Sequence, residues 1–194
     1  MRYNTLIKYE FNKSEWISVC YLLLNQYSFI ERNIMNKDTN MSEAFFYENP
    51  VVGEHNVDNG VVGCMDFRLR AARAAFMKAK GVVDYDNFVA PGACQEMIEA
   101  NGQARTFLAI QVALGLHSGE QVWLFQHTDC GAYGGSAKFD SLEGEISFQE
   151  QELRKAKHII ETRCREGEIP VPRIHMHVEV IDKERGGVLY RSVE

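Results

Sequence analysis

Apolar and polar positions change their spacing along this chain in a way that predicts strands and helices in alternation. Continuous apolar runs cover residues 61–64 and 122–125 and predict buried strands over residues 61–64 and 122–126. Residues 82–89 are a further strand candidate. Apolar and polar side chains alternate over residues 174–180, which predicts a half-buried strand, and residues 188–193 can pair back with it as a hairpin.

Helical periodicity occupies the segments between these strands. Residues 69–80 are rich in alanine and are followed by Gly81, a residue type favoured just after a helix. Residues 95–117 carry a helical pattern that is interrupted at residues 101–102, and residues 149–165 carry another. The alternating order of strands and helices predicts an α/β fold with a largely parallel sheet.

The first part of the chain is predicted to be an appendage to the main domain. We assign residues 1–56 to an N-terminal extension, a helix plus a linker, and residues 57–194 to the domain itself. Apolar side chains share one helical face near residues 16–27. The most apolar window, residues 16–24, is shorter than the roughly 20 residues that cross a bilayer, and no cleavage site of a signal peptide follows it. We expect this helix to pack on the core or on a partner subunit.

Composition indicates which partners and which cellular compartment to expect. A chain of 194 residues suits one domain that buries a core without disulfides, and a net charge of −6 argues against nucleic acid or an acidic membrane surface as its partner. The five cysteines are odd in number and widely spaced, unlike those of a secreted disulfide scaffold. We therefore expect a cytoplasmic protein whose thiols are free or bound to metal.

Two short motifs follow two of the predicted strands and carry the candidate chemistry. A Cys-x-Asp-x-Arg motif occupies residues 64–68, and a His-x-x-Cys motif occupies residues 127–130. Parallel strands bring the residues after them to the same edge of the sheet, where ligands bind in open α/β folds. Two thiolates and one imidazole are a complete protein ligand set for Zn²⁺ with an open fourth position. The hypothesis is that Cys64, His127 and Cys130 bind zinc.

Asp66 and Arg68 are predicted to govern the fourth position of this site. A bidentate arginine–carboxylate pair keeps the carboxylate ionised and fixes its direction. If Arg68 released it, Asp66 could itself become the fourth metal ligand and close the site. The rival interpretation is that Cys64 and Cys130 are small buried residues at strand ends, and that Asp66 and Arg68 form an ordinary ion pair.

The two motifs resemble the zinc signatures of the β-class carbonic anhydrases. The similarity covers about residues 57–135 and, more loosely, residues 178–189. It implies a mostly parallel β-sheet of about four strands flanked by helices, with an added antiparallel C-terminal strand, and a homodimer or a higher homo-oligomer. Members of that family usually carry Arg-Asn-Ala-Gly after the second strand, where this chain has Ala-Pro-Gly-Ala at residues 90–93.

For the chemistry, the resemblance implies reversible hydration of CO₂ to bicarbonate at one Zn²⁺ ion. Zinc would be held by Cys64, His127 and Cys130. Asp66 and Arg68 would be the catalytic pair, and Asp66 would be the additional ligand in a closed form of the site.

The same residues are compatible with two other functions. The same zinc hydroxide could hydrolyse COS or CS₂, and the bulky side chain of Phe67 could reshape access to the site. Alternatively, the metal stabilises the fold and Asp66 remains its fourth ligand, which would make the protein a binding or sensing module and not an enzyme.

Two further features carry weaker predictions. Residues 131–135 are rich in glycine and are expected to form a flexible loop beside the zinc site. His175 and His177 share one face of a predicted strand. An exposed polar strand face is the expectation there, and a second metal-binding pair is the alternative.

Overall fold

The structure is a computed structural model, and it describes residues 55–194. The helix predicted near residues 16–27 lies outside the described residues. The domain boundary at residue 57 therefore remains a prediction.

Within residues 55–194 the chain alternates strands and helices as the periodicity predicts. The elements are β1 (Asn59–Cys64), α1 (Arg70–Ala79), β2 (Asp86–Ala90), α2 (Gln95–Glu99), α3 (Arg105–Leu116), β3 (Gln121–His127), α4 (Leu142–Glu166), β4 (Arg173–Asp182) and β5 (Gly187–Val193). The interruption predicted at residues 101–102 separates α2 from α3, and both residues have positive φ, Asn101 at 47° and Gly102 at 82°.

All these strands join one sheet in the order β2-β1-β3-β4-β5. β1 pairs in parallel with β2 and β3, and β3 pairs in parallel with β4. β5 returns antiparallel to β4. The predicted fold, a mostly parallel sheet flanked by helices with an added antiparallel C-terminal strand, is therefore confirmed.

Helices cover both faces of the sheet and produce two apolar clusters. The larger cluster joins one face of the sheet to α2, α3 and α4, through side chains such as Met97, Ile110 and Leu153. The smaller cluster joins the other face to α1, where Met77 meets Phe125. Because both faces are covered, β3 is buried along nearly its whole length, which explains its unbroken apolar run.

Two element boundaries differ from the prediction. Helix α4 begins at Leu142, not at residue 149, because the Oγ of Ser141 accepts a hydrogen bond of 3.1 Å from the Gly144 N–H and so caps the helix. β2 begins only at Asp86, because the N–H of Val82 still bonds to the carbonyl of Met77 at the end of α1.

Two local expectations were wrong. The predicted half-buried strand is buried on both faces over residues 176–180, because α1 covers the face that carries His177 and Glu179 and the larger apolar cluster covers the other face. The expected exposed polar face at His175 and His177 is an aromatic layer: His177 is only 6% exposed, and the His175 ring stacks on Trp123 with 4.0 Å between ring centroids. Among the described residues, this histidine pair is not part of a group with metal-binding geometry.

Candidate metal centre

Three candidate metal ligands converge at the carboxyl edge of the sheet. Cys64 is the last residue of β1, and His127 is the last residue of its parallel neighbour β3. Cys130 follows three residues later. One ligand atom from each lies within 4.8 Å of the other two, and all three side chains are buried. The two motifs are therefore brought together as the sequence predicts.

The imidazole of His127 is oriented by the backbone. Its Nδ1 lies 2.7 Å from the carbonyl oxygen of Thr128. A carbonyl only accepts hydrogen bonds, so Nδ1 carries the ring proton and Nε2 keeps its lone pair. Nε2 is buried and has no hydrogen-bond partner among the described residues. This arrangement fits a metal ligand, since a metal-binding histidine usually donates its other ring nitrogen to the protein.

The two thiols are electrostatically coupled. A hydrogen bond from Cys130 lowers the pKa of the Cys64 thiol well below its ordinary value. The same contact with Cys64, together with burial, raises the pKa of Cys130. One thiolate therefore disfavours a second one beside it. A divalent cation would stabilise both thiolates, so the donor set fits a thiophilic metal such as Zn²⁺.

The turn between His127 and Cys130 is held by a buried carboxylate. Asp129 has a left-handed backbone with φ of 59°, a conformation that aspartate tolerates better than most residues. Its N–H donates a 2.6 Å hydrogen bond to Oε1 of Glu145, whose Oε2 accepts one of 2.7 Å from the Ser136 hydroxyl. Glu145 is only 1% exposed.

Sequence reasoning missed Glu145, because it lies before the predicted start of α4. The signal that could have found it is Ser141, a residue type favoured at the N-cap of a helix. Residues 131–135, expected to form a flexible loop, instead begin with a short 3₁₀ turn, Gly131–Tyr133, in which the side chain of Tyr133 is buried. A second 3₁₀ turn, Ser136–Lys138, follows directly.

Asp66 and Arg68 form the bidentate pair that their spacing suggests. Nε of Arg68 lies 3.0 Å from both carboxylate oxygens of Asp66, and Nη2 lies 2.6 Å from Oδ2. The guanidinium holds the pKa of the Asp66 carboxyl below its usual range. Asp66 is not in the group formed by Cys64, His127 and Cys130, so its predicted role as a metal ligand of a closed form remains a prediction.

Arg68 also contacts a second carboxylate, that of Asp129. Nη1 lies 2.9 Å from Oδ2 of Asp129, and Nη2 lies 3.2 Å from its backbone oxygen. Nζ of Lys183 lies 3.0 Å from the same Oδ2. Hydrogen bonds from Arg68 and then Lys183 lower the pKa of Asp129.

A protein-family match covers both motifs that form this candidate metal centre. A family model described as "Putative carbonic anhydrase" matches residues 55–179, which is most of the described chain and includes both motifs. The chain belongs to the β-carbonic anhydrase family. The comparison of this sequence with curated protein sequences found no significant match.

Several solved structures are similar to this carbonic anhydrase family member at low sequence identity. A β-carbonic anhydrase of Trichomonas vaginalis is 18% identical, with 93% of this chain and 97% of that chain covered and a TM-score of 0.49. A carbonic anhydrase of Streptococcus mutans is 17% identical, with coverage of 86% and 96% and a TM-score of 0.47. A carbon disulfide hydrolase is 15% identical, with coverage of 91% and 90% and a TM-score of 0.36.

No helix within residues 55–194 combines the length and the apolar composition that crossing a bilayer requires.

Proposed function

We propose that this family member is a zinc-dependent carbonic anhydrase that interconverts CO₂ and bicarbonate. The observation that carries the proposal is the convergence of Cys64, His127 and Cys130 within 4.8 Å, in a chain of this family. Two sulfur donors and one nitrogen donor are a common set for catalytic zinc, which keeps one position for the reaction. The unpaired buried Nε2 of His127 supports the same assignment among the described residues.

The residues around the ligands have distinct parts in this proposal. Zn²⁺ would supply a Lewis acid that makes water a nucleophile at neutral pH. Asp66 would accept a hydrogen bond from the reacting water and orient it towards CO₂. Arg68 would hold both carboxylate oxygens of Asp66 in place through contacts of 2.6 to 3.0 Å. We assign Asp66 and Arg68 as the catalytic pair.

Stopped-flow CO₂ hydration on reduced protein of verified zinc content, from about pH 6.5 to 9, tests this proposal. We expect a rate well above buffer that rises with pH. Asp66→Asn should lower kcat/KM by about 100-fold while zinc remains bound. Cys64→Ser should lose both zinc and activity. Cys164→Ala removes another buried cysteine, outside the candidate ligand set, and should retain both.

Two results would contradict the proposal. A Cys64→Ser protein with full zinc and full activity would exclude the ligand assignment. One zinc per chain without CO₂ hydration would exclude the carbonic anhydrase reaction. COS and CS₂ would then be assayed as substrates, and no turnover of either would favour a binding or sensing role with Asp66 as the fourth ligand.

We further propose that the protein is a homodimer or a higher homo-oligomer. Large apolar side chains are exposed beside the first motif, with Phe67 85% exposed, Met65 62% and Val89 52%, and a second copy could bury them. Light scattering after size-exclusion chromatography should give at least twice the chain mass of 22.2 kDa. A mass of one chain at working concentration would contradict this assembly.

We also propose that the protein works in a reducing compartment such as the cytosol. Cys64 and Cys130 must stay as thiolates to bind metal, and their close approach would make them prone to disulfide formation under oxidising conditions. Oxidation with a mild disulfide should therefore release zinc, and reduction should restore binding. Zinc that stays bound through this treatment would contradict the proposal.

A further inference from the structure

The guanidinium of Arg68 is shared between two carboxylates, and the proposed function uses only one of them. Nε and Nη2 contact Asp66, whereas Nη1 contacts Oδ2 of Asp129 at 2.9 Å. Nη2 also lies 3.2 Å from the backbone oxygen of Asp129. Every nitrogen of the guanidinium therefore has an acceptor, and two of them contact the turn between the candidate ligands.

Asp129 is the more firmly anchored of the two carboxylates. Its N–H is bonded to the buried Glu145, and Oδ1 lies 3.4 Å from the backbone nitrogen of Ser136. Oδ2 also contacts Lys183 at 3.0 Å. Asp129 lies within the turn between His127 and Cys130, so its carboxylate is tied to the same backbone as two of the candidate ligands.

Asp66 and Arg68 lie only two residues apart on one segment, so their mutual contacts do not fix them relative to the second motif. Rotation of this segment would carry both side chains together and preserve their bidentate contact. The bonds from Arg68 to Asp129 join the pair to the other motif, 61 residues along the chain. They are therefore contacts that can set the direction of Asp66 relative to the second motif.

We propose that Asp129 is a positioning residue that anchors Arg68 to the ligand turn and thereby directs Asp66 at the open metal position. This inference rests on the proposed function. It predicts that loss of the Asp129 charge releases Arg68 and leaves Asp66 free to turn towards the metal. The metal ligands themselves remain in place.

Asp129→Asn is the appropriate variant to test this role. Asparagine has the same shape and also tolerates the left-handed backbone, but it lacks the charge that holds Arg68. Zinc content should remain at the wild-type level. CO₂ hydration should fall by about 10- to 100-fold, as expected when an orienting group is misplaced. Asp84→Asn makes the same chemical change at an exposed position before β2, at the opposite edge of the sheet, and should leave the rate unchanged.

A double-mutant cycle separates positioning from general damage. If Asp129 acts through Arg68 and Asp66, Asp129→Asn should have almost no further effect in an Asp66→Asn background. Equal losses in both backgrounds would overturn the inference, since Asp129 would then act independently of Asp66. Loss of zinc from Asp129→Asn alone would overturn it as well, because the role would be structural.

A second readout does not depend on CO₂ hydration. Co²⁺ replaces Zn²⁺ in the protein, and azide is titrated while the visible absorption bands are followed. Asp129→Asn should weaken the azide response at least tenfold if Asp66 now competes for the open position. An unchanged response would overturn this inference but leave the proposed function intact. A wild-type chain that binds neither metal would overturn the proposed function, and this inference with it.

Discussion

Glu145 is a buried carboxylate whose two oxygens accept hydrogen bonds from the backbone and from a side chain beside the candidate metal centre. One accepts the N–H of Asp129 at 2.6 Å, and the other accepts the Ser136 hydroxyl at 2.7 Å. The left-handed conformation of Asp129 costs about 1 kcal/mol or more, and a hydrogen bond to a charged acceptor is strong enough to offset it. Glu145 therefore stabilises the turn that spaces His127 from Cys130.

Replacement of Glu145 by glutamine should weaken this turn. The amide oxygen of glutamine can still accept the Asp129 N–H, and its nitrogen can donate to the Ser136 hydroxyl, but both hydrogen bonds lose the charge that strengthens them. We expect the free energy of unfolding to fall by about 2 kcal/mol and zinc affinity to fall by about 10- to 100-fold. Denaturant unfolding and competition with a chromophoric chelator measure the two effects.

Glu143→Gln is the matched control, because Glu143 lies in the same helical turn but its side chain is 71% exposed. It should change stability by no more than about 0.5 kcal/mol. Zinc binding by Glu145→Gln as tight as in the wild type would contradict the positioning role of Glu145.

At the scale of elements, α1 is joined to the sheet by a buried ion pair. Nη2 of Arg73 lies 2.6 Å from Oε2 of Glu179 in β4, and both side chains are nearly inaccessible. Nη1 of Arg73 also lies 3.3 Å from the backbone oxygen of Cys64. Gly63 makes room for this arginine, since a Cβ at that position would lie 2.2 Å from Nη1 of Arg73.

Gly63→Ala should therefore displace Arg73 and break the buried pair. Separation of such a pair leaves an uncompensated buried charge, and we expect a loss of about 3 kcal/mol in the free energy of unfolding, measured by urea denaturation. Gly115→Ala is the control, because nothing lies within 4 Å of a Cβ there, and it should be neutral or stabilise α3 slightly. Equal stability of the two variants would show that Gly63 is not needed for this packing.

The aromatic layer between α1 and the sheet makes stability depend on pH. His177 lies between Phe125 and Phe76, with ring centroids 5.5 and 4.9 Å away. Burial lowers the pKa of His177 to about 4, and the nearby charges of Lys80 and His175 act in the same direction. The folded protein thus keeps His177 neutral at a pH where the unfolded chain, with a pKa near 6.5, binds a proton.

The stability that comes from neutral His177 is complete above about pH 6.5 and is lost as the pH falls towards 4. The free energy of unfolding should fall by about 2 kcal/mol more between pH 7 and pH 5 in the wild type than in His177→Phe. Urea unfolding of both proteins at the two pH values gives this difference. The titration of the candidate metal ligands cancels in it, because both proteins contain them. Identical pH dependence would show that His177 is not the responsible group.

For the molecule as a whole, the proposed metal would join two separate segments of the fold. Cys64 ends β1, whereas His127 and Cys130 flank the turn after β3, which also contacts α4 through Glu145. A metal that binds only the folded state adds RT ln(1 + [metal]/Kd) to stability, about 4 kcal/mol at 1,000 times Kd.

Removal of zinc by chelation should therefore lower Tm by about 10 °C, and readdition of zinc should restore it. The measurement is a thermal melt at increasing zinc concentration, with Mg²⁺ as the matched cation that thiolates bind poorly. Cys64→Ser should show no response to zinc. A Tm that does not depend on zinc in the wild type would argue against a folded-state metal site.

Local patterns predicted the elements and both motifs, because periodicity and spacing act over a few residues. The Arg68–Asp66 contact spans two residues, and the meeting of Cys64 with His127 follows from the parallel pairing of β1 and β3. Local patterns missed burial on both faces of β4, because the helix that covers its second face is distant along the chain. They also missed the early start of α4, although its cap is a local signal, the Ser141 hydroxyl three residues from Gly144.

The amino-acid sequence by itself determined the α/β order, the candidate ligand set and the pairing of Asp66 with Arg68. Only the tertiary structure decided which distant side chains support that centre. Glu145 reaches the ligand turn from 16 residues away, Asp129 reaches Arg68 across 61 residues, and Arg73 reaches Glu179 across 106. The physical reason is that these contacts depend on how α1 and α4 pack on the two faces of the sheet and on how β1 and β3 pair, and the whole core sets both.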